Sequence, residues 1–237
     1  MTTTYSVTRD QIISAALRKL QVLELGVTPD ATTVTNASQA LNIMIKAWQT
    51  QGIKLWTIKD YIVPLVSGQK TYTISPSGSN VTDNKPLKMI QAWALNISVT
   101  PNIKTPLVIV SRQEYNLLGS PDSSGMISSV WYEPGQTVGT ITVYQNPDAT
   151  TATNYQLQFA GQQPINDVTL STDTPDFPIE WNQALVWGLA DELSLEYGSH
   201  VNNRQEISAK AERYRRSLED FDVDSTSTTF SPDIRMR

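Results

Sequence analysis

The chain has no cysteine. Disulfides, thiolate zinc sites and cysteine nucleophiles are excluded together. It has one histidine, His200, where imidazole metal sites usually take two or more. Charge is scarce: Asp, Glu, Lys and Arg make up 17% of the 237 residues, and the net charge is −5. An acidic chain does not fit generic nucleic-acid binding, which needs clustered cations to displace counterions. No run of about 18 apolar residues occurs, so no membrane span is expected. The start, MTTTYSVTRDQ, has neither the basic nor the apolar stretch of a secretory signal, and none is expected.

Catalytic motifs are also missing. There is no G-x-S-x-G elbow, no G-x-x-x-x-G-K-[ST] loop and no G-x-G-x-x-G turn. His200 follows Tyr-Gly-Ser in an inter-helix loop and reads as a loop or interface histidine. Asp191–Glu192 and the run Glu219, Asp220, Asp222 and Asp224 are carboxylate clusters. Paired acids suit glycoside hydrolysis or Mg²⁺, but on a helix face or near a chain end they read as solvated surface. Lys210, Arg213, Arg215 and Arg216 form a cationic cluster among Glu206, Glu212 and Glu219, as a salt-bridged helix face would. No catalytic residue, metal or cofactor is expected.

What the sequence does have is periodicity. Thr8 to Leu23 reads as a helix, with Thr8 and Gln11 at capping-box spacing and Gly26 as its stop. Ile13, Leu17 and Leu20 share a face, with Ile12 and Ala16 beside them. VTPDATT reads as a loop. Thr35 to Gln51 is a second helix, with Ala37, Leu41, Met44 and Trp48 on one face and Gly52 as its C′ residue. From Leu55 the period shortens to alternating runs. LWTIKDYIVPL, KTYTI, LKMIQAWALNISV, LVIVS, SSVWYEPG, GTITVYQNP and NYQLQFAGQQP read as strands, and RQEYNLLG as one helical turn. Their spacing suggests a sandwich or small barrel.

Helical pattern returns at Phe177, with Asp176 as N-cap and Pro178 near the first turn. Phe177 to Gly198 is apolar nearly all round, which marks a central helix. Trp181 and Gly188 share a face, and the small Ala184 and Gly188, one turn apart, let a neighbour pack closely. Asn203 to Asp222 is a final helix along Ile207, Ala211, Tyr214, Leu218 and Phe221, with Glu206–Lys210 and Glu212–Arg216 as i, i+4 pairs. VDSTSTTFSPDIRMR has no period and reads as an extended tail. Of six tryptophans, Trp48, Trp56, Trp181 and Trp187 read as core. Trp93 and Trp131 lie in the strand region, where exposed aromatics would suit a sugar-binding platform.

The expected fold is α+β. A discontinuous helical bundle of two N-terminal and two C-terminal helices (1–54 plus 175–222) carries an inserted antiparallel β-sandwich or barrel (55–174). An extended tail (223–237) follows.

Four stretches together resemble a known family. They are T-x-x-x-I-I-x-x-A-L-R-K-L from Thr8, A-x-x-x-L-N-x-M-I-x-x-W-x-x-x-G from Ala37, F-P-x-x-W-x-x-A-L-x-W-x-L-A-x-E-L-x-x-E-Y-G from Phe177, and Q-E-I-S-A-K-A-E-R-Y from Gln205. In order and spacing this resembles the head–tail adaptors (connectors) of short-tailed bacteriophages: tail-tubular adaptors and packaged-DNA-stabilising, head-completion proteins. The resemblance covers both helical ends, about half the chain.

It implies a structural virion protein. Copies would form a ring, twelve-fold in such adaptors, under the capsid portal. The ring would extend the DNA channel and carry a tail or nozzle protein, with double-stranded DNA passing nearby. The site would be the virion neck, after assembly in the host cytoplasm. The tail would dock into the portal protein, with Phe230, Ile234 and Met236 as anchors and Arg235 and Arg237 pairing with portal carboxylates. Trp181, Ala184, Gly188, Tyr197 and Tyr214 would hold the helical packing and assembly. The acidic charge suits a lumen that passes DNA without holding it. Alternatives are a distal tail-tube or neck component, a carbohydrate-binding β module marked by Trp93, Trp131 and Tyr132 on one face, and a wall-degrading hydrolase using Glu133 or Glu192.

Overall fold

Thr8 opens the first helix, and its backbone N–H donates to Gln11 Oε1 at 3.0 Å, the backward half of a capping box. In the computed structural model, which describes residues 5–51, 55–120, 122–197 and 203–221, the elements run in order. They are α1 (Arg9–Lys19), α2 (Ala31–Thr50), β1 (Ile58–Pro64), β2 (Thr71–Ser75), β3 (Val81–Thr82), β4 (Lys88–Asn96), β5 (Ile103–Ile109), α3 (Arg112–Leu117), β6 (Ser124–Gly125), β7 (Ser129–Pro134), β8 (Gly139–Tyr144), β9 (Asn146–Pro147), α4 (Ala149–Asn154), β10 (Tyr155–Gln162), α5 (Asn182–Ser194) and α6 (Arg204–Phe221). The fold is α+β, with an inserted β barrel. The chain divides into two compact units, Met1–Trp48 with Asp167–Arg237, and Gln49–Asn166.

These boundaries fall earlier than the expected 54/55 and 174/175, and hydrogen bonds explain the second. Asn42 clamps Val168 with both ends of its amide, accepting from Val168 N at 2.9 Å and donating to Val168 O at 3.0 Å. Lys46 pairs with Asp167 at 2.8 Å. Arg9 donates from its backbone to Asp173 O and from its guanidinium to Thr169 O. Residues 167–174 are thereby stitched to α1 and α2, although their composition reads as loop.

In the helical unit α1 buries Ile12, Ile13, Ala16 and Leu17, and α2 buries Ala37, Leu41, Met44 and Ile45. The central helix α5 packs against α1 and α6 and buries Ala184, Leu185, Gly188, Leu189, Ala190 and Leu193. Each fully buried leucine contributes roughly 1.5–3 kcal/mol over exposure.

The ends of the helices differ from expectation. First, α1 stops at Lys19, before the expected Leu23, because Gln21 takes φ +59°. Gln21 N donates to Arg18 O and Val22 N to Leu17 O, the two bonds of a Schellman stop, here with glutamine in the usual glycine position. Second, α2 starts at Ala31, inside the expected loop. Asp30 caps it, accepting from Thr32 N and Thr33 N, both at 2.9 Å. Third, α5 starts at Asn182. Ile179–Trp181 form a 3₁₀ turn after Pro178, and Asp176 does not cap. The stop residues Gly52 and Gly198 lie outside the described residues.

In the second unit the described strands form an eight-stranded sheet in the order β1-β10-β4-β5-β7-β8-β2-β3. It closes around Tyr61, Val63, Tyr72, Ile74, Leu107, Val130, Ile141, Val143, Leu157 and Phe159. Tyr61 stacks on Phe159, with ring centres 4.9 Å apart. Buried Tyr72 accepts from Val66 N and donates to Gln69 O, both at 3.0 Å, which pins the β1–β2 turn.

The expected antiparallel pairing does not hold throughout, since β5–β7 and β2–β3 pair in parallel. A parallel pair needs a crossover, and α3 lies in the one joining β5 to β7, capped by Ser111, whose hydroxyl accepts from Glu114 N. The strand expected from Leu107 starts four residues earlier, at Ile103. Proline is tolerated because the β5–β7 pairing begins only at Val108.

Candidate interaction surfaces

Three of the five helical residues expected to hold the packing meet at one place. Trp181, Ala184 and Gly188 are buried. The Trp48 ring lies 6.2 Å from that of Trp181, which is 5.8 Å from Phe177. A Cβ on Gly188 would sit 2.7 Å from Trp48 Cζ2 and 3.0 Å from Met44 Sδ. Only a residue without a side chain lets α2 lay its indole there. Tyr214 stands apart: it is 38% exposed and stacks on Trp187 at 6.5 Å. Tyr197 follows α5 in a turn, its N–H donating to Leu193 O, and it is half-buried. The docking residues Phe230, Ile234, Arg235, Met236 and Arg237 lie outside the described residues, as does His200.

Asp191 and Glu192 line an open cleft with Leu195 and Arg204. Glu133 faces Arg112 at 3.7 Å on the other unit. Among the described residues no group of acids or histidine is placed to hold a metal. Three of the four cations of the α6 cluster are paired with acids: Lys210 with Glu206 at 2.6 Å, Arg215 with Glu212 at 2.9 Å, and Arg216 with Glu212 at 2.5 Å. That array holds the Glu212 carboxyl below its ordinary pKa, chiefly through hydrogen bonds from Arg216 and Arg215.

The aromatic platform is not formed as expected. Trp131 and Tyr132 are neighbours on β7, so they point to opposite faces. Tyr132 packs against the barrel core, and its hydroxyl donates to Pro86 O at 2.5 Å. Burial raises its pKa. Trp131 turns outward against Tyr115 at 5.7 Å, with the Arg112 guanidinium over its ring. Trp93 is capped by Lys104 Nζ at 5.1 Å and lies opposite Pro106.

One cluster escaped sequence reading. Lys19, at the end of α1, and Lys210, on α6, both reach the indole of Trp187. In the sequence Lys210 reads only as part of a charged helix face, and Trp187 only as core. Nothing in the spacing of 19, 187 and 210 signals that they meet. No protein-family model matches the chain, and no curated protein matches it.

Proposed function

We propose that this chain is a structural, non-enzymatic connector between the capsid portal and the tail of a short-tailed bacteriophage. In this reading copies assemble as a ring, extend the DNA channel and help retain packaged DNA. Partners are the portal protein, the tail or nozzle protein and further copies of the chain, and the place of action is the virion neck.

The observation that carries the reading is the order of the chain. Helices from both ends enclose α5, and the barrel is a single excursion between Gln49 and Asn166. The four motif stretches that resemble the adaptors fall on α1, on α2, on the 3₁₀ turn with α5, and on α6. Two further features support it. Glu133 is engaged by Arg112 at 3.7 Å, and of the aromatics named for a sugar platform Trp131 and Tyr132 point to opposite faces of β7 while Trp93 lies on β4. Among the described residues, no helix is long and apolar enough to cross a membrane.

Deleting Val223 to Arg237 tests the docking role. The truncated chain should fold with unchanged circular dichroism and no longer pellet with portal rings. Undiminished docking would remove the tail from the account.

A further inference from the structure

Trp187 lines a cleft of about 150 Å³ with Lys19, Leu20, Glu206, Ile207 and Lys210. It opens between the end of α1 and the first turns of α6. Lys19 Nζ lies 5.1 Å from the indole centre and Lys210 Nζ 4.9 Å from it. Two ammonium groups against one ring repel each other. Lys210 has a counter-charge in Glu206 at 2.6 Å, whereas Lys19 makes no ion pair among the described residues. Two ammonium groups and one carboxylate leave the cleft at +1 in a chain of net charge −5.

Buried Leu20 and Ile207 flank the indole as the apolar part of the lining, and the amides of Gln21 and Asn203 add polar groups beside the charges. The complementary ligand therefore has a single anionic head on a short apolar stem. The stem lies on the ring, and the head takes the spare ammonium of Lys19 in a charge-assisted hydrogen bond. Glu206 at the site disfavours a polyanion, and nucleic acid draws its affinity from many cations rather than one.

We infer that this cleft is a docking site for a glutamate side chain of a partner protein. The inference rests on the helical unit alone and stands or falls separately from the connector reading.

The test uses the full chain, ¹⁵N-labelled, with the Trp187 indole resonance assigned by its loss in Trp187→Phe. Capped Gly-Glu-Gly, whose only charge is the side-chain carboxylate, is titrated at constant ionic strength. Capped Gly-Gln-Gly, inorganic phosphate and a short DNA duplex are run in parallel. The glutamate peptide should give a saturable shift of the Trp187 signal while the indole signals of the β unit stay still. Lys19→Gln should weaken it about two- to fivefold, the loss of one solvent-exposed charged contact, and Lys19→Arg should restore it. An equal response to the glutamine peptide, no effect of Lys19→Gln, or tighter binding of phosphate or duplex would each overturn the inference.

Discussion

Gly188 provides the sharpest test of how the helical unit is packed. Replacing an interior helical glycine by alanine normally stabilises by about 0.5–1 kcal/mol. Here the new methyl would lie 2.7 and 2.9 Å from Trp48 Cζ2 and Cη2, where carbon contacts are optimal near 3.5–4.0 Å. The indole would have to retreat by close to an ångström, with Trp181 beside it and Phe177 beyond. Such overpacking costs about 1–3 kcal/mol, so Gly188→Ala should destabilise by about 0.5–2 kcal/mol net, and Gly188→Leu by more. Urea unfolding followed by far-UV circular dichroism reads this as a lower midpoint at unchanged slope. A double-mutant cycle isolates the cause. In a Trp48→Phe background the offending ring atoms are gone and only the flexible Met44 Sδ at 3.0 Å must give way, so Gly188→Ala should lose most of its cost. A stabilising Gly188→Ala with Trp48 in place would refute the reasoning.

Three further outcomes are expected. Gln21→Gly should raise the melting temperature, because a left-handed residue costs about 1–2 kcal/mol more for a β-carbon-bearing side chain than for glycine; an unchanged or lower value would count against the α1 stop described above. Asp30→Ala should lower the melting temperature at neutral pH, since hydrogen bonds from Thr33 hold the folded carboxyl below its ordinary pKa. That contribution is present above the unfolded value of about 3.9 and is lost as pH falls through the folded one, so wild type and variant should converge in acid; a constant gap would contradict the cap. Gly139→Ala should destabilise the β unit by about 1–3 kcal/mol, because its Cβ would meet Tyr132 Oη at 2.6 Å and Ile74 Cγ2 at 2.8 Å; wild-type unfolding of that unit would sink the prediction.

The helical frame was legible because its signals are local. Periodicity marked α1, α2, α5 and α6, and the alternation of Thr with Tyr72 and Ile74 marked a strand. What was missed depends on local exceptions or on distance. Gln21 takes a conformation that glycine usually signals. Asp30 lies inside a stretch whose Pro-Asp and threonines suggest a loop. The helix α4 is only six residues long, inside a segment otherwise read as turn and strand, and its signal is the cap at Asp148, which accepts from Thr151 N at 2.6 Å. The Asn42–Val168 clamp joins residues 126 apart in sequence, and the cleft at Trp187 gathers three helices. No window of sequence holds either.

The central claim is that this chain joins a portal to a tail. The most direct measurement is sedimentation of the purified full-length protein, alone and mixed with the portal protein of the same genome. The account predicts that mixing yields a large complex of fixed stoichiometry. No association, even at low salt and with the tail intact, would contradict it and move attention to a distal tail component.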